Sequence, residues 1–160
     1  MALVSRLNEF YCNGNMDKNE ILKLLPYTKP FLFVDELLHV DENGAKGTFT
    51  YVKELDFYKG HFKDYPITPG VMLTETMAQI GLACLAIYLA KGSADLSFVM
   101  TSAAVDFLKP VFPAQKVTVL SEKVYFKFNK LNCKVRMENE EGEIVAKGVI
   151  AGMLIGKNNG

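Results

Sequence analysis

A histidine and a glutamate, fourteen residues apart, lie in a segment of this chain that could hold both at one site. His61 falls in a loop rich in proline and glycine, and Glu75 falls in the second turn of an apolar helix that follows Pro69-Gly70. Histidine and glutamate are the usual side chains for moving protons at neutral pH. The first N–H groups of that helix could stabilise a developing oxyanion. The segment therefore predicts proton-transfer chemistry.

Each of these two residues has an ordinary structural explanation when it is considered alone. A loop histidine is usually solvated or hydrogen-bonded, and a glutamate in an apolar helix is often a cap or the partner of another buried group. Glu75 lies beyond the first helical turn, where the helix dipole explains an acid poorly. The two residues together favour catalysis, whereas His39, which falls in a strand pattern, is interpreted as structural or exposed.

Length and composition indicate one ordinary globular domain. The 160 residues are 49% hydrophobic and 22% charged, as is usual for globular proteins. Because 18 basic residues balance 18 acidic ones, the net charge does not favour nucleic acid as a partner. We expect a single domain over residues 1–160, with residues 1–16 as an N-terminal extension and residues 156–160 as a frayed tail.

The cysteines and the N-terminal segment suggest the cellular location. The three cysteines are far apart in the chain and show no metal-ligand spacing, so we expect no disulfide framework and no metal site. We also expect no cofactor. The cysteines are Cys12, Cys84 and Cys133. Residues 1–16 contain no continuous apolar stretch of the kind that a secretory signal has. We therefore expect reduced thiols and a cytoplasmic protein.

The longest apolar stretch, residues 71–90, predicts one long helix. It is about long enough to span a bilayer, but Glu75 and Gln79 interrupt it, and a charged side chain is costly in lipid. Apolar residues on nearly every face predict burial on most sides. Lys91 and Gly92 stand where helix ends favour a basic residue and a glycine. We expect a buried core helix and no membrane span.

The rest of the chain predicts a short helix and several antiparallel strands. A capping box from Asp17 to Glu20 opens the short helix, and Pro26 ends it. Residues 53–70 form the loop before the long helix. Alternating apolar residues and turn signals predict strands over 31–40 and 45–52, joined at Asn43-Gly44, and over 96–107, 116–129, 131–138 and 144–155. One long helix against such strands is an α+β fold.

The segment from residue 60 to 79 closely resembles the signature of the 3-hydroxyacyl-[acyl-carrier-protein] dehydratases of type II fatty acid synthesis. The matching residues are Gly60-His61-Phe62, Pro66, Pro69-Gly70-Val71, Glu75 and Ala78-Gln79. Two flanking segments are also similar to that family: Leu24-Leu25-Pro26 followed by Pro30 to Asp35, and Phe107 to Val111. The resemblance covers residues 18–152. Glu75, where a related subclass has aspartate, is similar to the general dehydratases that do not isomerise the double bond.

The resemblance implies a hotdog fold, in which an antiparallel β-sheet wraps one long buried central helix. It also implies the reaction, removal of water from a 3-hydroxyacyl thioester on acyl-carrier protein to give a trans-2-enoyl thioester. The pathway would be fatty acid or a related specialised acyl or polyene biosynthesis. His61 is then the base for the Cα proton, and Glu75 the acid for the leaving hydroxyl if an apolar pocket keeps it protonated. The family's homodimer, or trimer of dimers, brings His61 and Glu75 together across a subunit interface.

Further residues receive roles from the same resemblance. The Gly70 N–H lies at the N-terminus of the predicted helix and suits the thioester oxygen, glycine there lets the thioester approach the backbone, and Val71 belongs to the same substrate-binding set. Gln79, one turn after Glu75, joins this substrate-binding set; contact with Glu75, with the partner subunit or with core backbone are equally open. Four phenylalanines are candidates for an acyl tunnel, although core packing explains each one alone: Phe31, Phe33, Phe62 and Phe98.

The carrier protein would be acidic, so lysines near the tunnel mouth are candidates to dock it, with scattered surface lysine as the alternative. They are Lys59, Lys63 and Lys109, with Lys127 and Lys130 as further members of a basic rim. Two other functions remain open. The segment from Val105 to Val111 is also typical of hotdog thioesterases, which hydrolyse acyl thioesters. A non-catalytic, dehydratase-like partner subunit is the third hypothesis, and the intact His61–Glu75 pair disfavours it.

Overall fold

The computed structural model describes residues 16–93 and 95–157. The described residues form six strands: β1 (Glu36–Val40), β2 (Gly44–Thr50), β3 (Leu96–Phe107), β4 (Lys116–Lys127), β5 (Lys130–Glu138) and β6 (Ile144–Gly156). They make one antiparallel sheet in the order β1-β2-β4-β5-β6-β3. Alternate residues of β5 are buried, as a strand with one face on a core requires. These residues are Leu131, Cys133, Val135 and Met137.

A single helical rod from Gly70 to Leu89 packs against one face of the sheet. It consists of α2 (Gly70–Ala78), a π-helical turn (Gln79–Ala83) and α3 (Cys84–Leu89). A Cβ atom on Gly81 would lie 3.1 Å from Val135 Cγ1, so a larger residue would fit here only if its neighbours on the sheet shifted. This confirms the α+β hotdog fold. The helix starts one residue earlier than predicted, and the π-helical turn was not predicted.

Burial separates the central helix from a membrane span. The helix is 20 residues long and apolar enough to cross a bilayer, but 67% of its most apolar window is buried inside the fold. Its end matches the prediction, because Lys91 and Gly92 both adopt positive φ and the Gly92 N–H donates to the Ile87 carbonyl.

The first predicted strand is shorter than expected. β1 begins at Glu36, not at Phe31, because the Phe33 N–H donates to a side-chain oxygen of Gln79 instead of joining a strand ladder. The predicted hairpin turn is present, and the Asp41 carboxylate accepts hydrogen bonds from the N–H groups of Asn43 and Gly44.

Other strand boundaries differ by a few residues. β2 ends at Thr50 because the next N–H, that of Tyr51, donates to the Gln115 carbonyl outside the ladder. β4 ends at Lys127 because Phe128 and Asn129 adopt positive φ in the turn to β5. The expected loop before the central helix contains a 3-10 turn from Asp56 to Lys59.

The short N-terminal helix forms, but its predicted capping box does not. Helix α1 (Lys18–Leu24) ends before Pro26, as expected, and the carbonyl of Asp17 accepts from Glu20 and Ile21 N–H while its side chain makes no capping hydrogen bond. Residues 1–15 of the expected extension and 158–160 of the expected tail lie outside the described residues. Residues 156 and 157 are not frayed, since β6 includes residue 156 and the N–H of residue 157 donates to a carbonyl.

Strand β3 is an edge of the sheet. It is twelve residues long, pairs only with β6 among the described strands, and exposes residues 99–104. A long exposed edge is a template for pairing with another chain.

Candidate active site

His61 is held by a two-way hydrogen-bonded contact with Ile67 across its loop. The Ile67 N–H donates to the His61 carbonyl at 2.9 Å, and His61 Nδ1 lies 2.8 Å from the Ile67 carbonyl oxygen. A carbonyl oxygen can only accept, so Nδ1 carries the proton and donates it. In the neutral imidazole, Nε2 is therefore the nitrogen with a free lone pair. The loop thus sets the tautomer that a base requires.

Neighbouring contacts fix the ends of this loop. The hydroxyl groups of Tyr58 and Thr68 form a buried hydrogen bond of 2.5 Å, and the Thr68 N–H donates to the Val111 carbonyl at 2.9 Å. Burial raises the pKa of Tyr58, which keeps this phenol protonated. The loop is therefore tied at Val111 to the segment that follows β3.

The central helix begins beside the end of β3. Within the described residues, the N–H groups of Gly70 and Val71 have no acceptor, as expected for the first turn of a helix. A Cβ atom on Gly70 would lie 3.0 Å from ring carbons of Phe107. A larger residue here would therefore have to displace the Phe107 ring by a few tenths of an ångström, a close contact that the sequence did not reveal. Val71 is 74% exposed.

Glu75 receives a hydrogen bond from a buried glutamine one turn along the helix. Gln79 Nε2 donates to Glu75 Oε1 at 2.9 Å and to the Phe31 carbonyl at 3.0 Å, while Gln79 Oε1 accepts the Phe33 N–H at 2.8 Å. The sequence analysis considered three contacts for Gln79, and two of them, with Glu75 and with core backbone, are present. Both amide protons of Gln79 are used inside the chain, which leaves no donor for a substrate.

Tyr27 is a residue near Glu75 that the sequence reasoning missed. Its phenol interacts electrostatically with Glu75 and Cys84, and burial, followed by these two groups, raises its pKa to about 12. Its ring lies 6.3 Å from that of Phe31, between centroids. The sequence feature that could have identified Tyr27 is its position directly after Pro26, a few residues before Phe31 and Phe33, whose backbone groups contact Gln79.

The two candidate catalytic side chains do not contact each other within one chain. Both His61 and Glu75 are partly buried, and within the described residues neither a hydrogen bond nor an ion pair joins them. His39, in contrast, is exposed and contacts the Asp41 carboxylate, as a structural histidine would.

The four phenylalanines proposed for an acyl tunnel occupy three separate places. Phe31 and Phe33 pack edge to face at 5.1 Å between ring centroids, with Phe33 buried and Phe31 half exposed. Phe62 is half exposed and stacks on the His61 ring at 3.9 Å. Phe98 lies over the backbone of Gly152 on the sheet. Their shared tunnel stays a prediction.

The candidate docking lysines near the histidine differ in their pairing. Lys59 forms an ion pair with Asp56, and Lys109 forms one with Glu143. Lys63 is exposed and has no ion-pair partner among the described residues. A surface cavity of about 360 Å³ lies beside the loop and is lined by Lys53, Tyr58, Lys59, Pro66 and Pro113. Lys53 is therefore a further lysine near the loop, which the sequence reasoning did not consider.

Lys127 and Lys130 lie at the opposite end of the sheet from the start of the central helix. Lys130 pairs with Met153, and Phe107 pairs with Ala146, seven residues earlier on β6. At about 3.3 Å per residue these rows are about 23 Å apart. Within one chain, therefore, these two lysines do not share a rim with the His61 loop.

The side chains that usually bind metal ions do not cluster among the residues that the structure describes. No group of three or more histidine, cysteine, aspartate or glutamate side chains could hold an ion there. The described cysteines, Cys84 and Cys133, are buried, and burial raises the pKa of both thiols to about 12.

Comparison with known proteins places this fold and motif in a family. The family model of the FabA-like domain matches residues 25–152. The chain belongs to the FabA-like family. Curated relatives include the 3-hydroxyacyl-[acyl-carrier-protein] dehydratase FabZ of Sinorhizobium medicae, 36% identical over 149 residues, which covers 91% of this chain and 94% of the relative. The FabZ of Thermus thermophilus is 32% identical over 128 residues, 79% of this chain and 90% of the relative.

Solved structures agree with the FabA-like assignment at the level of the fold. The dehydratase heterocomplex ApeI:P from Xenorhabdus doucetiae superposes with a TM-score of 0.71 at 13% identity, covering 86% of this chain and 91% of that one. A hypothetical thioesterase with coenzyme A from Streptococcus pneumoniae superposes with a TM-score of 0.56 at 16% identity, covering 76% and 85%. At these identities the likeness concerns the fold alone.

Proposed function

We propose that this member of the FabA-like family is a 3-hydroxyacyl-[acyl-carrier-protein] dehydratase, a hydro-lyase of fatty acid or related acyl biosynthesis. Its curated relatives carry that name at 36% identity over nearly the whole chain. The observation that carries the proposal is the contact between His61 Nδ1 and the Ile67 carbonyl, which leaves Nε2 as a proton acceptor. The enzyme acts in the cytoplasm.

The reaction needs a base on one side of the substrate and an acid on the other. His61 Nε2 removes the Cα proton, and the electron pair of that C–H bond becomes the Cα–Cβ double bond. The Cβ–O bond breaks, and the leaving oxygen takes a proton from Glu75 to depart as water. The Gly70 N–H, a free donor at the start of the central helix, donates to the thioester oxygen while negative charge develops there. The product is a trans-2-enoyl thioester.

A homodimer completes this site. The exposed edge of β3 supports pairing of two copies about a two-fold axis, which would join the two sheets. The lack of contact between His61 and Glu75 within a chain is consistent with a site that takes one residue from each subunit. Three such dimers could also assemble into a hexamer.

The acyl group arrives on the phosphopantetheine arm of an acidic acyl-carrier protein. Lys63 supports docking near the histidine because it is exposed and lacks an acidic partner in the described chain. The charges of Lys59 and Lys109 are balanced by neighbouring carboxylates, so they attract an acidic partner less strongly.

Turnover by single-site variants tests the chemistry. We expect His61→Ala and Glu75→Gln each to lower the hydration of a crotonyl thioester by at least about 100-fold, the usual contribution of general acid–base catalysis. Thioester hydrolysis is measured in parallel. Near-normal hydration by either folded variant would remove that residue from the mechanism, and efficient hydrolysis without hydration by the wild type would identify a thioesterase.

Mixing the two inactive variants tests the shared site. Random exchange of subunits makes about half of the dimers mixed, and each mixed dimer has one intact site out of two, so activity should return to about one quarter of the wild-type value. Subunit exchange is verified by native mass spectrometry with one isotopically labelled variant. Exchange without recovery of activity would mean that each chain builds its own site.

A further inference from the structure

The loop that carries His61 is closed at its base by a buried pair of hydroxyl groups. Tyr58, in the 3-10 turn, and Thr68, two residues before the central helix, place their side-chain oxygens 2.5 Å apart. Only 7% of Tyr58 and 5% of Thr68 is exposed, and among the described residues neither hydroxyl has another hydrogen-bond partner. A buried hydroxyl is costly to leave unpaired, so this bond holds the two ends of the loop together.

Each of these two residues directly follows a carbonyl group that holds His61. The His61 N–H donates to the Phe57 carbonyl at 2.9 Å, and His61 Nδ1 donates to the Ile67 carbonyl at 2.8 Å. The first carbonyl is joined by its peptide bond to Tyr58, and the second is joined to Thr68. The hydrogen bond between the two side chains therefore restricts the distance between the two backbone groups that hold the histidine.

The peptide unit between Ile67 and Thr68 is also held from its other side. The Thr68 N–H donates to the Val111 carbonyl at 2.9 Å, while the carbonyl of the same unit accepts the His61 proton. A trans peptide unit is planar, so its N–H and C=O point in opposite directions. Rotation of this unit would break the contact with Val111 and move the acceptor away from Nδ1. The Thr68 side chain, fixed by Tyr58, opposes that rotation.

We propose that Tyr58 and Thr68 are positioning residues for the dehydration reaction, because the bond between their hydroxyl groups keeps the Ile67 carbonyl in contact with His61. The inference rests on the proposed function and adds to it. Both residues act through the carbonyl that accepts the Nδ1 proton and so leaves Nε2 free as the base. Loss of the bond lets the neutral imidazole adopt its other tautomer, in which Nε2 carries the proton and cannot accept one. The effect therefore falls on kcat.

Two variants remove the bond from opposite sides, and a third keeps it. Tyr58→Phe and Thr68→Val each delete one hydroxyl group, whereas Thr68→Ser retains the hydroxyl. We expect the first two to lower kcat for crotonyl thioester hydration about 10-fold, as for a misplaced catalytic group, with KM changed less than about twofold. Thr68→Ser should stay within about twofold of the wild-type kcat. Combining Tyr58→Phe with Thr68→Val should cost less than about twofold more than the larger single change, because both changes break the same bond.

The tautomer of His61 gives a readout that loss of stability alone does not change. Ring ¹⁵N NMR shifts distinguish a nitrogen that carries a proton from one that does not, and because the chain has only two histidines, His39→Gln assigns the signals. Spectra are compared at the pH above which the ring signals no longer change, so that neutral rings are observed. We expect the proton on Nδ1 in the wild type and in Thr68→Ser, and on both nitrogens in exchange in Tyr58→Phe and Thr68→Val.

Tyr51→Phe is the matched control for lost stability. Tyr51 and Thr76 form a second buried pair of hydroxyl groups, 2.6 Å apart, outside the loop. Tyr51→Phe should lower the melting temperature about as much as Tyr58→Phe does, while the His61 ring signals stay as in the wild type. The proposal fails if Tyr51→Phe changes the tautomer as much as Tyr58→Phe, or if Tyr58→Phe leaves kcat or the tautomer unchanged. Failure of the proposed function is a different result: the wild type would not hydrate the thioester, and the ring signals would then decide alone whether the hydroxyl pair positions His61.

Discussion

Removing the buried hydroxyl pair between Tyr51 and Thr76 tests how the catalytic half of the central helix is anchored. The two oxygens are 2.6 Å apart, both side chains are fully buried, and Thr76 Oγ1 also donates to the Met72 carbonyl at 2.9 Å. The Met72 carbonyl is 2.9 Å from Thr76 Oγ1 but 3.4 Å from the Tyr51 hydroxyl, so we assign the Thr76 proton to Met72 and the Tyr51 proton to Thr76. Because Thr76 follows Glu75, this bond ties the end of β2 to the helix beside the proposed acid.

The two single changes should differ in cost. Tyr51→Phe removes only a donor and leaves the Thr76 proton bonded, so it should lower the free energy of unfolding by about 1 kcal/mol. Thr76→Val removes the acceptor and leaves a buried phenol whose next acceptor, the Met72 carbonyl, is 3.4 Å away. A buried polar group left without a good partner costs about 1–3 kcal/mol, so Thr76→Val should be the more damaging change.

The double variant decides whether this reasoning is right. Combining Tyr51→Phe with Thr76→Val removes the stranded phenol hydroxyl, so the total should fall below the sum of the single effects by about 1 kcal/mol. Urea unfolding followed by circular dichroism measures all three, and each kcal/mol should also lower the melting temperature by about 2–4 °C. Additive costs, or a larger cost for Tyr51→Phe than for Thr76→Val, would refute the hydrogen-bond assignment.

Two more predictions concern charge and pH. Lys63→Glu should raise KM for carrier-bound substrate at low salt and less at high salt, while short thioesters are unaffected; Lys134→Glu, on the outer face of β5, is the charge-matched control. An equal loss with short thioesters would assign Lys63 a structural role. Burial raises the pKa of the Cys84 and Cys133 thiols from 9.0 to about 12. Between these two pH values the thiols ionise in the unfolded chain but not in the folded one, so the free energy of unfolding should decline from pH 9 towards pH 12. Replacing both with alanine should flatten that decline in pH-dependent urea unfolding; an unchanged slope would contradict it.

Local patterns in the sequence were sufficient for the main elements. Apolar residues on nearly every face of 71–90 predict a helix that is buried on most sides, and a glycine after a basic residue predicts its end. Strict alternation over residues 131–138 specifies a strand with one buried face. These signals depend on neighbours within a few positions, so they can be read without knowledge of the fold.

The family motif could also be recognised without a structure. The resemblance of residues 60–79 to the family signature was enough to suggest the dehydratase chemistry, and the FabA-like match agrees with it. The same motif gave no information about which lysines lie near the loop. The sheet places Lys127 and Lys130 at its far end because strand register, and not position in the chain, decides which residues share an end.

Tertiary structure alone decided the details that make the site specific. The tautomer of His61 follows from a carbonyl that the loop folds back onto it, and the Gln79 amide is held in place by backbone groups 46 and 48 residues away. These contacts join a side chain to a backbone group, and any residue type supplies the same backbone donor or acceptor. No local pattern of residue types therefore records them, and they exist only once the chain has packed.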